Sequence, residues 1–541
     1  MRYYLTGGHT MKKIAKILSL ILSLTIALSC TGVFVSAAGG NYLTMSGEGK
    51  DGFAIVSKCL SNAPGEIDIP ATAKVPYDSK NPNYLVTVPV TQIASNAFNG
   101  CVRITKVNIP SSITQIGNGA FYNCDSLEEV VFEGDTCNFG TDVFYNCRLL
   151  KTINLPVNTK QITSRMFYDC SALENFDIPS LVTKIGSEAF GKCTAFKSVT
   201  IPSTVTSIGK NAFIGCNSVS AFNVASGNTV YSSSNGVLYG PDPSSGKKAL
   251  IQYPNAKSGT SYTVLSDTKV IADYAFGDNG TLTKVVLPSG LEILDDFAFY
   301  NCKKLSDVQL PSSVKKLGSQ SFGRCEALKT ITIPAKTETL ESAFYMSSLE
   351  SVIIQNGVKE IGTKSFEECA KLTSVTIPAS VTKIGIGAFK GCTSLRNFSV
   401  PSTVTTIERG AFTDCENITL FVDRDSAAHA YAVENSINYK INGEGDRTVK
   451  SVSVLSLPNK TSYYYKETLD TTGLKLSVMY TDGTTETVTG GYKVNTSTLG
   501  KTGAQVIDVT YEGCTAQFSV NVSYAWWQWL IMIFLLGIFW Y

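Results

Sequence analysis

The stretch VTKIGIGAFKGCTSLRNFSVP, residues 381–401, decides the fold, because its phrase returns along most of the 541-residue chain. Residues 113–130 read ITQIGNGAFYNCDSLEEV, 182–202 read VTKIGSEAFGKCTAFKSVTIP and 205–222 read VTSIGKNAFIGCNSVSAF. The aromatic anchor of the phrase falls at Phe98, Phe121, Phe144, Phe167, Phe190, Phe213, Phe276, Phe299, Phe322, Phe344, Phe366, Phe389 and Phe412, thirteen times in all. The step is 23 residues, twice 22, and once 63, so the chain between Phe213 and Phe276 holds one ordinary repeat and about 40 inserted residues.

Within one unit, LTSVTIP (372–378) alternates apolar and polar residues as a half-buried strand does, and Pro378 stops ladder hydrogen bonding at its position. VTKIG (381–385) supplies a second short extended piece ending in glycine, and AFKGC (388–392) reads as a helical turn that returns the chain to the next strand. A single unit cannot bury its own apolar face. Stacked at the ~4.8 Å spacing of neighbouring strands, the units seal columns of Leu, Val, Ile and Phe. The fold class that follows is a repeat solenoid of parallel short β-strands with short helical turns. The Ile-Gly, Ala-Phe, Cys, Leu and Ile-Pro order resembles the BspA-like branch of the leucine-rich-repeat family over about residues 41–441. Local departures are Asn279 and Ser347 in place of Cys. The resemblance implies a bacterial cell-surface protein concerned with adhesion.

Both flanks of the array read as covers. Residues 39–90, with GEIDIP and YLVTVPV, predict an N-terminal β cap, and the solenoid proper runs over 91–441. SAAHAYAVENSI (426–437) predicts an amphipathic cap helix after the last repeat. In the insert, about 225–263, NGVLYGPDPSSGKKALIQYP predicts two strands, 237–239 and 249–253, forming a β-hairpin that breaks out of the solenoid. From 447 to 523 the rhythm disappears, and SVSVLSLP, LKLSVMY, AQVIDVTY and TAQFSVNV predict a small all-β sandwich with a hairpin turn at Asp482-Gly483. LPNKTSYYYKETLDTTGLKLSVMYTDGTTETV resembles the bacterial immunoglobulin-like domains of surface proteins, which implies a spacer.

The two ends differ from the middle. Lys12, Lys13 and Lys16 precede an apolar run and the small residues of VFVSAAGG, the order of a secretory signal over residues 1–38, with the start at Met11. Lipidation at Cys30 is the alternative reading. At the other end AWWQWLIMIFLLGIFWY (525–541) is uncharged, and its 17 residues predict a hydrophobic helix of about 25 Å that holds the exported protein at the membrane. Packing of this tail on a partner or on its own domain is the alternative. With 46 basic against 44 acidic residues, no long-range field gathers nucleic acid.

Eleven of the fifteen cysteines stand three places after a repeat phenylalanine, so they form a ladder of small buried thiols, each beside a carbonyl, that side-chain direction keeps from bridging. The chain has two histidines, His9 and His429, which deprives Ser-His and Cys-His chemistry of a base, and no CxxC pair or phosphate-cradling loop implies a metal or cofactor. Two carboxylates suffice for glycosidases, yet Glu129 and Asp177 fall two coils apart, about 10 Å along the stack, wider than even the inverting arrangement. Candidate ligand-binding positions are the outward residues of the first strand, Lys106, Asn108, Glu129, Thr152, Asn154, Asn175 and Asp177, together with Tyr231, Tyr239, Tyr253 and Tyr262 of the insert. Those tyrosines either grip a ligand or pack the hairpin onto neighbouring coils. The expected function is non-enzymatic binding of an extracellular protein or polysaccharide. An architectural envelope role and a glycan-active enzyme are the alternatives.

Overall fold

The computed structural model describes residues 42–537 other than 339, 443–447 and 482. The proposed signal segment, residue 482 of the hairpin turn and residues 538–541 of the tail lie outside the described residues. Two compact units emerge. One takes the described residues up to Leu349 with Lys364–Cys369, and the other takes Glu350–Thr363 with those from Ala370 on.

In the first unit the coils line up in two parallel ladders, the first of them interrupted at residues 174–178. Lys106–Ile109 pairs with Glu129–Phe132, Lys106 opposite Glu129 and Ile109 opposite Phe132. Gln115–Ile116 pairs with Asn138–Phe139, and Gln161, Lys184 and Ser207 continue this second ladder farther along. Each partner is the counterpart one repeat later, so an identical apolar set meets itself at every step. The phenylalanines stack in consequence: Phe121 to Phe144 is 5.3 Å between ring centroids, Phe144 to Phe167 5.6 Å and Phe167 to Phe190 5.5 Å, all near parallel. Burying one such ring contributes about 1.5–3 kcal/mol, which explains why the aromatic is the most regular feature of the repeat.

The connecting turn is not the helical one expected. At each repeat phenylalanine the residues two before and two after have positive φ, as at Asn96 (59°) and Gly100 (71°), or Asp142 and Asn146 (both 59°). Left-handed residues interrupt the i→i−4 ladder, so backbone bonds run between coils instead: the Phe98 N–H donates to Ala120 O at 2.7 Å and that of Phe121 to Val143 O at 2.9 Å.

At the N-terminal end Leu43–Ser46 and Ala54–Cys59 pair antiparallel, as do Thr72–Pro76 and Leu85–Ile93. The last of these also runs parallel to Ala54–Cys59 and to Gln115–Ile116, entering the second ladder. The insert contains the two expected strands, Val237–Pro241 and Lys248–Gln252, but they do not break out. Ser232–Ser234 joins them antiparallel, and Lys248–Gln252 then pairs parallel with Val270–Ile271, returning to the second ladder. Tyr253, which follows, stands 23 residues before Phe276 and takes the place of the repeat phenylalanine, its ring 5.1 Å from that of Phe276.

In the second unit Ser351–Ile354 pairs parallel with Ser374–Thr376, and Phe389 stacks on Phe412 at 5.5 Å. The cap helix is Ala427–Glu434; Ser426 caps it by accepting the His429 N–H, and Ala428, Tyr431 and Ala432 form its buried side. A β-sandwich follows. Val449–Ser456, Lys475–Tyr480 and Thr485–Val488 make one sheet, and Ser462–Tyr464, Cys514–Ser523, Gly503–Tyr511 and Lys493–Val494 the other. Leu476, Val478, Leu499, Ile507 and Val520 fill the space between them. Gly483 has φ 83°, as the expected hairpin turn requires. The terminal helix is Trp526–Gly537, 12 residues, and no helix among the described residues is long and apolar enough to cross a membrane.

Candidate functional site

The outward positions of the first ladder divide into two groups. Lys106 bridges to Glu129 at 2.9 Å, and Asn108 donates through Nδ2 to Asp68, so these three half-exposed side chains hold coil to coil. Thr152, Asn154, Asn175 and Asp177 are exposed, and none of their side chains has a partner among the described residues. Thr152 lies in the strand Thr152–Ile153 opposite Glu129, whereas residues 174–178 carry no assigned strand. Beneath them Ile153, Leu155 and Phe176 are buried, so the alternation that reads as a half-buried strand fixes the positions of all four. The result is a hydroxyl, two amides and a carboxylate held on a packed support, free to exchange water for a ligand.

The four insert tyrosines are placed otherwise. Tyr231, Tyr239, Tyr253 and Tyr262 are all buried, at 4%, 0%, 1% and 8% exposure, so their rings pack among the coils and are not presented at the surface. The Tyr231 hydroxyl accepts the Ile208 N–H at 2.7 Å, and the hydroxyls of Tyr239 and Tyr262 meet at 2.6 Å. Their pKa values rise through burial.

The His429, Glu129 and cysteine side chains weighed for catalysis have structural partners where they are described. His429 is half-buried in the cap helix, accepts the Asp425 N–H at Nδ1 and packs against Tyr439 at 4.8 Å. His9 lies outside the described residues. Glu129 is tied to Lys106, two coils from Asp177. The thiol ladder is buried, and its hydrogen bonds repeat: Cys124, Cys147, Cys170 and Cys193 point Sγ at the carbonyls of Phe98, Phe121, Phe144 and Phe167 at 3.1–3.2 Å. Where cysteine is replaced the pocket is still satisfied. Asn279 Oδ1 accepts the Leu282 N–H at 2.8 Å, and Ser347 Oγ lies 3.3 Å from Cys369 Sγ. Among the described residues no group of three His, Cys, Asp or Glu is placed to hold a metal ion.

One feature escaped the sequence reading. On the turn side of the coils Tyr122, Tyr145 and Tyr168 form a second aromatic stack. Its signal was present, since all three directly follow the repeat phenylalanine in consecutive units.

The BspA type leucine rich repeat region matches in six copies over residues 91–228, 253–372 and 337–429, and the bacterial Ig-like domain (group 3) matches 456–522. Among solved structures, a leucine rich cell surface protein from Faecalibacterium prausnitzii is 27% identical, covering 69% of this chain and 95% of its own, with a TM-score of 0.49. A leucine-rich repeat protein from Eubacterium ventriosum is 25% identical over 69% and 93%, TM-score 0.48. The pneumococcal vaccine antigen PcpA is 21% identical over 76% and 100%, TM-score 0.47. None of the curated proteins matches the chain. With its repeats matched over more than half its length, the chain belongs to the BspA-type leucine-rich-repeat family and carries a bacterial Ig-like domain after the repeats.

Proposed function

We propose that this is a non-enzymatic cell-surface adhesion protein whose first strand ladder recognises an extracellular protein or polysaccharide. The observation that carries the reading is the run of Thr152, Asn154, Asn175 and Asp177, exposed polar side chains without protein partners among the described residues, set on a packed ladder that continues with exposed Ser198 and Thr200. Preorganised polar groups lose little entropy on binding, which is what a rigid repeat surface offers a ligand. The test is an array of matrix proteins and glycans probed with the full chain and with its Asn154→Ala/Asp177→Ala form. Saturable binding that the double substitution weakens supports the reading; silence on every spot favours the architectural role.

Export and retention at the cell surface belong to the same proposal. The terminal helix Trp526–Gly537 spans about 18 Å, short of the ~30 Å hydrocarbon core. Trp526, Trp527, Trp529, Leu530, Ile531 and Ile533 are exposed on it, an uncharged apolar surface that begins with three indole rings of the kind that favour the membrane–water boundary. The full chain should float with phospholipid vesicles, and Trp526→Ala/Trp527→Ala/Trp529→Ala should reduce the floated fraction. Equal flotation of the two would remove the helix from the account.

A further inference from the structure

We propose that the turn side of the coils between Phe98 and Phe190 is a second binding site, built around the gap at Gly119 and the Tyr122–Tyr145–Tyr168 stack, for a neutral, extended oligosaccharide. It is separate from the strand-face patch and rests on different residues.

Two columns bound a cavity of about 430 Å³. The first holds the left-handed residues two places before each phenylalanine: Asn96, Gly119, Asp142, Arg165 and Glu188. Gly119 alone has no side chain; the Asn96 amide leans towards its place, with Oδ1 2.8 Å from where a Cβ would stand, and the column is narrowest there between Asn96 and Asp142. The second column is the tyrosine stack, with centroids 4.6 and 4.9 Å apart and planes 1° and 6° from parallel. Most of the ring faces are covered by one another. The far side of Tyr168 lies against Gly191, where a Cβ would come within 2.5 Å of the ring, with Lys192 Nζ 5.4 Å from its centroid. What remains for a ligand is the row of edges, on which the Tyr122 and Tyr145 hydroxyls have no partner among the described residues.

The polar groups around the gap are oriented. Asn118 Oδ1 accepts the Thr141 N–H at 2.8 Å, which fixes its amide and leaves Nδ2 as a donor. Asp142 is held by Arg165 through Nε at 2.6 Å and Nη2 at 3.1 Å, the fork geometry that locks a carboxylate in place. Amide, phenol, carboxylate and guanidinium alternate along the groove, and no aliphatic side chain lines it. That suits a ligand that is hydroxylated all round and offers little to an apolar anchor.

Spacing separates a sugar chain from a peptide. Tyrosines recur every 4.6–4.9 Å, close to the advance of one hexose in an extended, equatorially linked glycan. An extended peptide advances about 3.3–3.4 Å per residue, so its side chains fall out of step within two coils. Charge selects further: Asp142 and Glu188 are balanced by Arg165 and by Lys192 at the Tyr168 end, so the groove offers a uronic acid no net positive charge.

Calorimetric titration of the full chain with β-1,4-linked hexamers of glucose, mannose and N-acetylglucosamine, and with hexagalacturonate, tests the proposal. At least one neutral hexamer should bind, and the uronate should not. Gly119→Asn should weaken binding about tenfold or more, the equivalent of ~1.4 kcal/mol, by filling the gap. Gly119 has φ 59°, the value at which Asn96 stands one coil earlier, so the backbone accepts an asparagine, and the end of the Asn96 side chain, 2.8 Å from the new Cβ, must turn aside. Tyr145→Phe should weaken binding several-fold with an unchanged melting curve. Failure of every neutral hexamer at millimolar concentration, or wild-type affinity in both groove variants, overturns the proposal.

Discussion

Asparagine, aspartate and glycine gather around each repeat phenylalanine because the turn there needs left-handed backbone on both sides of it. Thirteen coils repeat the pair of positive φ values, and where the residue is Arg165, Glu188 or Lys364 the same conformation is imposed at a cost of about 1 kcal/mol by the bonds between coils. The phenylalanine and cysteine columns were legible in the sequence because burial allows few residues there. The left-handed turn was not, because AFKGC has the composition of a helical turn and only the tertiary ladder decides between the two. The cysteines carry a prediction. Burial pushes the thiols of Cys325 and Cys369 up to about 12 and that of Cys415 to about 11, from an ordinary 9.0. The unfolded chain releases these protons near pH 9 while the folded chain keeps them. Their contribution to stability is therefore complete below pH 9 and lost as the pH rises towards 11–12. Urea denaturation should give decreasing stability over that window, with a shallower decline in Cys325→Ser. An identical pH dependence in the two proteins would contradict buried, protonated thiols.

At the scale of the element, the insert marks where pattern reading reached its limit. Its two strands were readable from alternation and turn residues, but their return to the ladder depends on Tyr253, whose distance of 23 residues from Phe276 carried the register in a different aromatic. Tyr231 contributes in another way, by supplying an oxygen where the Ile208 N–H would otherwise be unpaired. Thermal and chemical denaturation should therefore separate the two tyrosines. Tyr231→Phe should cost about 1–3 kcal/mol, the penalty of a buried donor left without an acceptor. Tyr253→Phe restores the residue found in every other unit and should cost less than about 0.5 kcal/mol, whereas Tyr253→Ala should cost about 3–5 kcal/mol. Equal losses in the two Phe variants would refute these assignments. Ion pairs follow the same repeat logic, with Glu128 against Lys151 at 2.8 Å and Glu174 against Lys197 at 2.6 Å. Each contributes under about 1 kcal/mol, and their alternation in sign avoids repulsion down the column.

Over the whole molecule, the order solenoid, sandwich and apolar helix was readable because three different periodicities follow one another along the chain. The site was half legible: the seven strand-face positions are where alternation places them, yet their ion pairs and hydrogen bonds, which leave four of them free, emerge only when coils are stacked. Binding through those four is the central claim. An alanine scan of Lys106, Asn108, Glu129, Thr152, Asn154, Asn175 and Asp177 in the full chain, titrated against the ligand that the array identifies, tests it most directly. The account predicts about tenfold or greater loss concentrated at Asn154, Asn175 and Asp177, each tenfold being ~1.4 kcal/mol, with little change at Lys106, Asn108 and Glu129. Undiminished affinity across all seven variants would contradict it.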